Sequence, residues 1–178
     1  MGISQTPQAI VPAAFTSGGM TLLSTTTLTG SSVTVSSISG SYTNLVILLR
    51  DFRTSMDDRT INIRFNSDTG SNYNYANVWA NVGSITQSSG TGTSLFINKG
   101  NISSTAINLG QGNITIPLYA STSYNKSLYY GFGSINPSGT QSGVGFGRYA
   151  STSAITSVTL FPDAGNFDAG TILIYGVN

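Results

Sequence analysis

Leu45-Val46-Ile47-Leu48-Leu49 is the stretch that decides the fold, because five consecutive apolar residues stand here without a helical period. In a strand, neighbouring side chains point to opposite faces, so such a run is apolar on both faces. It predicts a central strand that is covered on both sides, either by the chain itself or by a subunit interface. The closing run, Thr171-Ile172-Leu173-Ile174-Tyr175, has the same character.

Around this run, apolar and polar residues alternate in short segments separated by turns rich in Gly, Ser and Asn. Alternation with a period of two predicts strands that have one buried face and one exposed face. We predict strands at about 20–28, 31–38, 42–52, 59–67, 72–80, 93–98, 102–109, 113–120, 126–135, 143–150, 155–161 and 170–177. Short strands at this spacing predict an all-β fold, an antiparallel β-sandwich that is jelly-roll-like, over residues 19–178.

The composition excludes several classes of function. Only 7% of the 178 residues are charged, the net charge is +1, and the chain contains no Cys and no His. The usual zinc, haem, iron–sulfur and thiol chemistries therefore have no ligands, and nucleic-acid binding has no basic stripe. No apolar run approaches the length of a membrane-spanning helix. We expect no catalytic site, no metal, no cofactor, no nucleic acid and no membrane partner.

Residues 1–18 are predicted to form an extended N-terminal arm. Pro7 and Pro12 prevent a regular helix, while Ile10, Val11 and Phe15 are too apolar to be left in water. The arm either packs on its own domain or reaches over a neighbouring subunit. We favour a clamp on a neighbouring chain, with Ile10, Val11 and Phe15 as interface candidates.

The densest charge cluster lies just after the apolar strand. Its charged members are Arg50, Asp51, Arg53, Asp57, Asp58 and Arg59. Asp57 and Asp58 offer oxygen ligands to a hard cation. We prefer the alternative in which the loop neutralises its own charges through Arg–Asp pairs, or pairs with a neighbouring subunit. All of these residues except Asp51 are therefore interface candidates.

Two further loops resemble ligand sites. The segment Asn66–Tyr73 is rich in oxygen ligands, but Asx-turn hydrogen bonding explains it as well as calcium does. In the segment 143–147, glycines alternate with other residues without the spacing of a phosphate loop. If the strands around 126–135 and 143–150 pair across the Ile135–Ser142 turn, their glycines predict a bare strip of backbone for close packing.

An alternating aromatic and amide segment, residues 72–79, is a candidate for binding carbohydrate. Tyr73, Tyr75 and Trp79 could stack on sugar rings while the Asn side chains bind hydroxyls. The alternative is a strand whose three aromatic residues, which share one parity, face the core or a partner. For catalysis, a Ser–Lys dyad with Lys99 or Lys126 is formally available, but their polar surroundings favour a solvated amine.

Three segments of the chain carry a resemblance to a known class of protein: GGMTLLSTTTLTGSSVTVSSISGSYTNLVILL (18–49), FNSDTGSNYNY (65–75) and GTILIYGV (170–177). In these segments the chain resembles the small all-β virion proteins of tailed bacteriophages. The resemblance covers about residues 18–80 and 168–178. It implies a jelly-roll-like head decoration (cement) protein, or the β-domain of a fibre or another appendage, and it carries over no catalytic or ligand-binding residue.

We therefore expect a structural protein of the virion, on the outside of the phage head, bound to the major capsid protein as a homo-oligomer, with a trimer favoured. Few charges suit a surface that other protein covers, because little desolvation cost arises. The alternative is a fibre or receptor-binding protein that recognises a host surface glycan.

Overall fold

The computed structural model describes residues 19–98 and 102–178, which form twelve β-strands and no helix. The strands are β1 (Met20–Thr27), β2 (Val33–Val35), β3 (Asn44–Thr54), β4 (Ile61–Phe65), β5 (Tyr73–Asn81), β6 (Ser84–Gly92), β7 (Leu95–Phe96), β8 (Gly110–Pro117), β9 (Lys126–Asn136), β10 (Gly139–Tyr149), β11 (Val158–Pro162) and β12 (Phe167–Val177). In this part of the chain no helix has the length and apolarity to cross a membrane.

The strands form two antiparallel sheets packed as a sandwich. The larger sheet has eight strands in the order β1-β12-β3-β8-β9-β10-β5-β6, and the smaller has the order β2-β11-β4-β7. Without the hairpins β5–β6 and β9–β10, eight strands remain. They are β1-β12-β3-β8 in one sheet and β2-β11-β4-β7 in the other. If these eight strands are numbered along the chain, the two orders are 1-8-3-6 and 2-7-4-5, which is the nested order of a jelly roll. The predicted antiparallel, jelly-roll-like sandwich is confirmed.

The core lies between the two sheets and follows the predicted alternation. Leu45, Ile47 and Leu49 of β3 are fully buried, as are Ile61 and Ile63 of the facing sheet. The apolar run at 45–49 is a central strand, since β3 lies between β12 and β8. Its outer face is not covered by the described residues: every second residue of the run is only half-buried.

Two parts of the strand prediction are wrong. Residues 102–109 form a loop that ends in a turn, held by bonds from Asp58 N to Ile102 O and from Ser103 N to Ile135 O. Strand β6 was not expected, because its polar and glycine residues show no apolar alternation. It forms because a two-residue turn, Val82-Gly83, returns the chain beside β5 with positive φ at both turn residues.

Candidate interaction surface

The two inserted hairpins extend the jelly-roll sheet by four strands and carry its most exposed apolar residues. We call the side of the eight-stranded sheet that faces away from the small sheet the outer face. The strand registers align its two central rows of side chains. One row is Ser89, Ala76, Phe146, Tyr129, Thr115, Val46, Tyr175 and Leu22; the other is Gln87, Val78, Val144, Gly131, Asn113, Leu48, Leu173 and Thr25.

Neither central row contains a charged residue. Arg148 and Arg50 also point to the outer face, but they lie on rows above and below the central pair. Val144 is 65% exposed and Tyr129 is 61% exposed, whereas the aliphatic residues of β3 in these rows are half-buried by their neighbours. A water-exposed band with so much apolar surface and no charge is typical of a face that binds another molecule.

A ridge and a groove give the outer face its shape. The Tyr129 and Phe146 rings meet edge to face, with their centroids 5.1 Å apart, and form the ridge. Beside it an open groove of about 940 Å³ runs over Gly131, which contributes no side chain. Val78 and Val144 line the groove. The groove therefore has an aromatic wall and an aliphatic wall.

Polar groups stand at the edges of the same groove. They are Gln87, Ser89 and Asn113. All three are exposed, so the outer face can offer amide and hydroxyl groups beside an aromatic wall.

The opposite side of the two hairpins is closed by glycine–aromatic pairs, so the predicted bare strip of backbone is wrong. Strands β9 and β10 do pair across the predicted turn, but Gly143, Gly145 and Gly147 of β10 lie opposite large residues of β9, which are Phe132, Tyr130 and Leu128. A Cβ on Gly143 would stand 2.6 Å from the Phe132 ring, and one on Gly145 would overlap the Tyr130 ring. The glycines leave room for these rings rather than for another chain.

Tyr73 and Trp79, predicted as sugar-stacking residues, point into the protein. Tyr73 is fully buried, its ring stacks on that of Tyr149 at 5.0 Å, and Phe65 N donates to its hydroxyl at 3.0 Å. Burial raises the pKa of Tyr73 well above its ordinary value. Trp79 is only 8% exposed. Sugar stacking is therefore wrong for both residues, and the inward alternative holds.

Tyr75 is half-buried and lies edge-on against Phe96, with the ring centroids 4.3 Å apart. Its hydroxyl end also fills the space beside Gly90 of β6. The residue therefore fastens the β5–β6 hairpin to the smaller sheet, and most of its ring is covered.

The predicted charge cluster pairs with Asp163, in the loop between β11 and β12, and with Asp168, near the start of β12. Arg53 forms an ion pair with Asp168, and Arg59 Nη1 lies 3.9 Å from Asp163 Oδ1. The Arg–Asp pairing is therefore present, but its aspartates lie outside the cluster. Asp57 Oδ1 instead accepts a 2.6 Å bond from Ser104 N, and this bond lowers the pKa of Asp57.

The other members of the cluster, Arg50, Asp51 and Asp58, are exposed. Asp51 accepts a 2.6 Å hydrogen bond from Gln111 Nε2. Within residues 19–98 and 102–178, no three carboxylates come together in a way that could hold a metal ion. Whether Arg50 and its neighbours contact another subunit stays a prediction.

The loop after β4 is an Asx turn built on Asp68. Its carboxylate accepts bonds from Gly70 N at 2.7 Å and from Asn72 Nδ2 at 2.8 Å. The Asn72 bond, followed by the Gly70 bond, lowers the pKa of Asp68. The Asx interpretation explains the oxygen-rich sequence.

Lys126 is not the solvated amine that its polar surroundings predicted. The residue is 1% exposed, and its Nζ donates to the backbone oxygens of Ser121 and Tyr124 at 2.7 Å each. Further contacts reach Thr152 O at 3.1 Å and Ser151 O at 3.5 Å. Burial lowers the pKa of this ammonium. No serine hydroxyl contacts it among the described residues, so the geometry gives no Ser–Lys dyad here.

Lys99 and the arm residues Ile10, Val11 and Phe15 lie outside the described residues, so the clamp stays a prediction. Sequence reasoning also missed the outer-face residues Val144 and Phe146. A signal was available, because both lie between glycines on one parity of β10 and are apolar. The glycines of β10 instead led to a prediction of close packing on the face opposite to Val144 and Phe146.

Comparison with known proteins found no matching family model, no matching curated protein and no matching solved structure.

Proposed function

We propose that this chain is a structural protein of a phage virion, a decoration or cement protein that binds the head exterior. The outer face, with its two uncharged central rows, carries the proposal. Eight strands spaced about 4.8 Å apart, over roughly 20 Å of strand length, give about 760 Å² of sheet. A stable protein–protein interface covers about 800 Å² of each partner, so this single face has the required size.

The charge distribution supports a protein partner rather than an ionic ligand. The two central rows hold no charge, and the nearest ones, Arg50 and Arg148, stand on the flanking rows. A partner of similar character, an uncharged β surface of the major capsid protein, would cover the two central rows without burying an unpaired ion. The resemblance of the sequence to virion proteins of tailed phages supports the same assignment.

Val144→Asp tests the proposal by placing a carboxylate in the middle of the outer face. Because Val144 is exposed, we expect the fold to be retained, while affinity for protein-depleted capsids of the phage that encodes the chain falls at least about 100-fold. Ile107→Asp is the matched control, since Ile107 is equally apolar, exposed, and outside the two central rows. Binding is measured by co-sedimentation with capsids, and mass spectrometry of purified virions checks for the native protein.

Virions that lack the protein would overturn the assignment to the particle. Equal binding by the Val144→Asp and Ile107→Asp variants would show that the outer face is not the attachment surface. A density map of the decorated particle would separate the head exterior from the tail.

A second candidate function is recognition of a host surface glycan in the groove. Its specific support is the Tyr129 ring, 61% exposed, beside Gln87, Ser89 and Asn113 in the groove of about 940 Å³. Aromatic rings stack on sugars while amides and hydroxyls bind their hydroxyl groups. This places a glycan on the outer face and not at Tyr73 or Trp79.

Tyr129→Ala is expected to lower glycan affinity at least about tenfold, the loss expected when one stacking ring is removed. The measurement is binding to a glycan array, followed by titration calorimetry with any glycan that is retained. Tyr124→Ala is the control, because Tyr124 is equally exposed but lies away from the groove. An array without signal for the unaltered protein would remove the glycan function and leave the decoration proposal standing.

A further inference from the structure

Strand β6 is an unusual sheet edge. It covers nine residues, Ser84–Gly92, and pairs with β5 along its whole length without a bulge. Among the described residues the other sheet edges are less regular or shorter. Strand β1 has a bulge between Leu22 and Ser24, β2 has three residues and β7 has two.

Within residues 19–98 and 102–178, the edge lacks the features that keep exposed strands apart. Proteins usually protect such an edge with charged side chains, proline, bulges or a covering segment. Strand β6 contains no charged residue and no proline, and Ile85 in it is 81% exposed. The sequence and geometry therefore leave this edge open to pairing.

The hairpin turn fixes which backbone groups of β6 are free. Asn81 and Ser84 close the two-residue turn, and the residues that close such a turn bond to each other. Hydrogen-bonded pairs then alternate along the hairpin. The N–H and C=O groups of Ile85, Gln87, Ser89 and Thr91 consequently point away from β5, toward the open side.

We propose that β6 pairs with β6 of a second copy of this chain, antiparallel, about a two-fold axis at Ser88. In this register Ile85 lies opposite Thr91 and Gln87 lies opposite Ser89, so all four outward-facing residues meet their counterparts. The two-fold axis makes each of these two pairings occur twice, and each pair exchanges two bonds. The junction of the two β6 strands, which we call the seam, therefore has about eight backbone hydrogen bonds. The register also uses the full nine-residue strand.

A second copy fits this edge because neither strand carries charge. Two identical strands usually bring like charges together, but β6 has none to repel its copy. Antiparallel pairing of identical edges also needs a two-fold axis perpendicular to the sheet. Such an axis keeps both outer faces on the same side of one sixteen-stranded sheet, twice the eight strands of one copy.

The seam deepens the proposed function and, in this respect, rests on it. Two outer faces in one plane double the surface offered to a capsid, and bivalent attachment raises the effective affinity without new kinds of contact. The two-fold axis gives a dimer of about twice the 18.5 kDa chain mass, in place of the trimer expected from the sequence.

Single cysteines test the register directly, because the chain has no cysteine of its own. In the Ser88→Cys variant, the two copies of residue 88 form a non-hydrogen-bonded pair with Cα atoms about 4.5 Å apart, within disulfide range. In the Ser84→Cys control, the two cysteines lie eight strand positions apart, about 27 Å. We expect the full-length Ser88→Cys protein to form a covalent dimer under mild oxidation and the Ser84→Cys protein to stay uncrosslinked.

Sedimentation of the uncrosslinked protein provides a second measurement. Gln87→Lys puts a charge on each side of the seam, and we expect it to weaken dimerisation at least about tenfold. Thr25→Lys, the same type of change on the edge strand β1, should leave the dimer intact. A monomeric unaltered protein, a trimer, or a dimer insensitive to Gln87→Lys and not crosslinked through residue 88 would overturn the seam. These measurements use purified protein without capsids, so their failure is distinct from a failure of the decoration function.

Discussion

Replacing Lys126 with methionine is expected to lower the free energy of unfolding by about 3–5 kcal/mol, because four part-buried backbone oxygens lose a charged donor. Methionine has a similar length, so the change removes the ammonium with little change in packing volume. A hydrogen bond to a charged group contributes about 1.5–3 kcal/mol, and the two short bonds to Ser121 O and Tyr124 O are lost together. Urea unfolding followed by circular dichroism measures the loss.

The four backbone oxygens around the Lys126 ammonium, which we call the carbonyl cage, explain why the loss of stability should be large. The oxygens of Ser121 and Tyr124 belong to the loop between β8 and β9, and those of Ser151 and Thr152 belong to the loop after β10. The ammonium therefore holds two loops together that are distant in sequence. We expect both loops to lose hydrogen-exchange protection in the Lys126→Met variant while the central strands keep theirs.

Arg148→Met is the matched control, since it also removes one positive charge from the same sheet. Arg148 is exposed on the outer face, and replacing it should change the free energy of unfolding by no more than about 0.5 kcal/mol. Equal stabilities for the two variants would show that the carbonyl cage contributes nothing, and would return Lys126 to the solvated state that its local sequence predicts.

Lys126 shows why part of the structure was not predictable from the sequence. Its ligands are backbone oxygens, which every residue possesses, so no pattern of side chains marks the cage. Strand β6 is a second case, because Ser84–Gly92 has no apolar alternation and forms where the turn before it returns the chain beside β5. The segment 102–109 fails for the opposite reason: its two isoleucines resemble a strand, but Ile102 is buried and anchors a loop while Ile107 is exposed.

The jelly-roll strands were predictable because their periodicity is a direct consequence of one-sided burial. In β4, Ile61, Ile63 and Phe65 are all buried and the residues between them are not, as the alternation predicts. The candidate site was less accessible. Parity identifies which residues share a face, but only the strand register shows that Val144 aligns with Val78 and with Leu48 of β3 in one uncharged row.

The glycines of β10 illustrate the same limit. Spacing alone correctly places Gly143, Gly145 and Gly147 on one face, but it does not show what lies across from them. The register puts Tyr130 directly opposite Gly145. A large ring on one strand fills the space that a glycine leaves empty on the neighbouring strand, and this packing stabilises glycine in sheets. These glycines are therefore required by side-chain packing inside this chain.

Gly145→Ala is accordingly expected to destabilise the fold by about 2–3 kcal/mol through overpacking. A Cβ at this position overlaps the Tyr130 ring, which is buried and whose hydroxyl accepts a 3.2 Å bond from Asn77 Nδ2. The ring cannot move away without losing that bond. This cost outweighs the gain of about 0.4–1 kcal/mol that an alanine brings by restricting the unfolded chain. Thermal and urea unfolding measure the difference.

Gly131→Ala is the control that separates overpacking from a general effect of replacing strand glycines. Gly131 lies on the neighbouring strand and faces outward, where a Cβ would stand 2.9 Å from Asn113 Oδ1. Because Asn113 is exposed, its side chain can turn aside, and we expect a change of less than about 1 kcal/mol in either direction. Comparable losses for Gly131→Ala and Gly145→Ala would contradict the packing argument.

A double-mutant cycle with Tyr130→Ala assigns the cost to the ring itself. If the clash between Gly145→Ala and Tyr130 causes the loss, the added alanine at 145 should cost little once the ring is gone. The coupling energy between the two changes should then be about 2 kcal/mol, within the range found for residues in contact. Strict additivity would place the strain of Gly145→Ala in the backbone of β10 and remove the ring as the reason for this glycine.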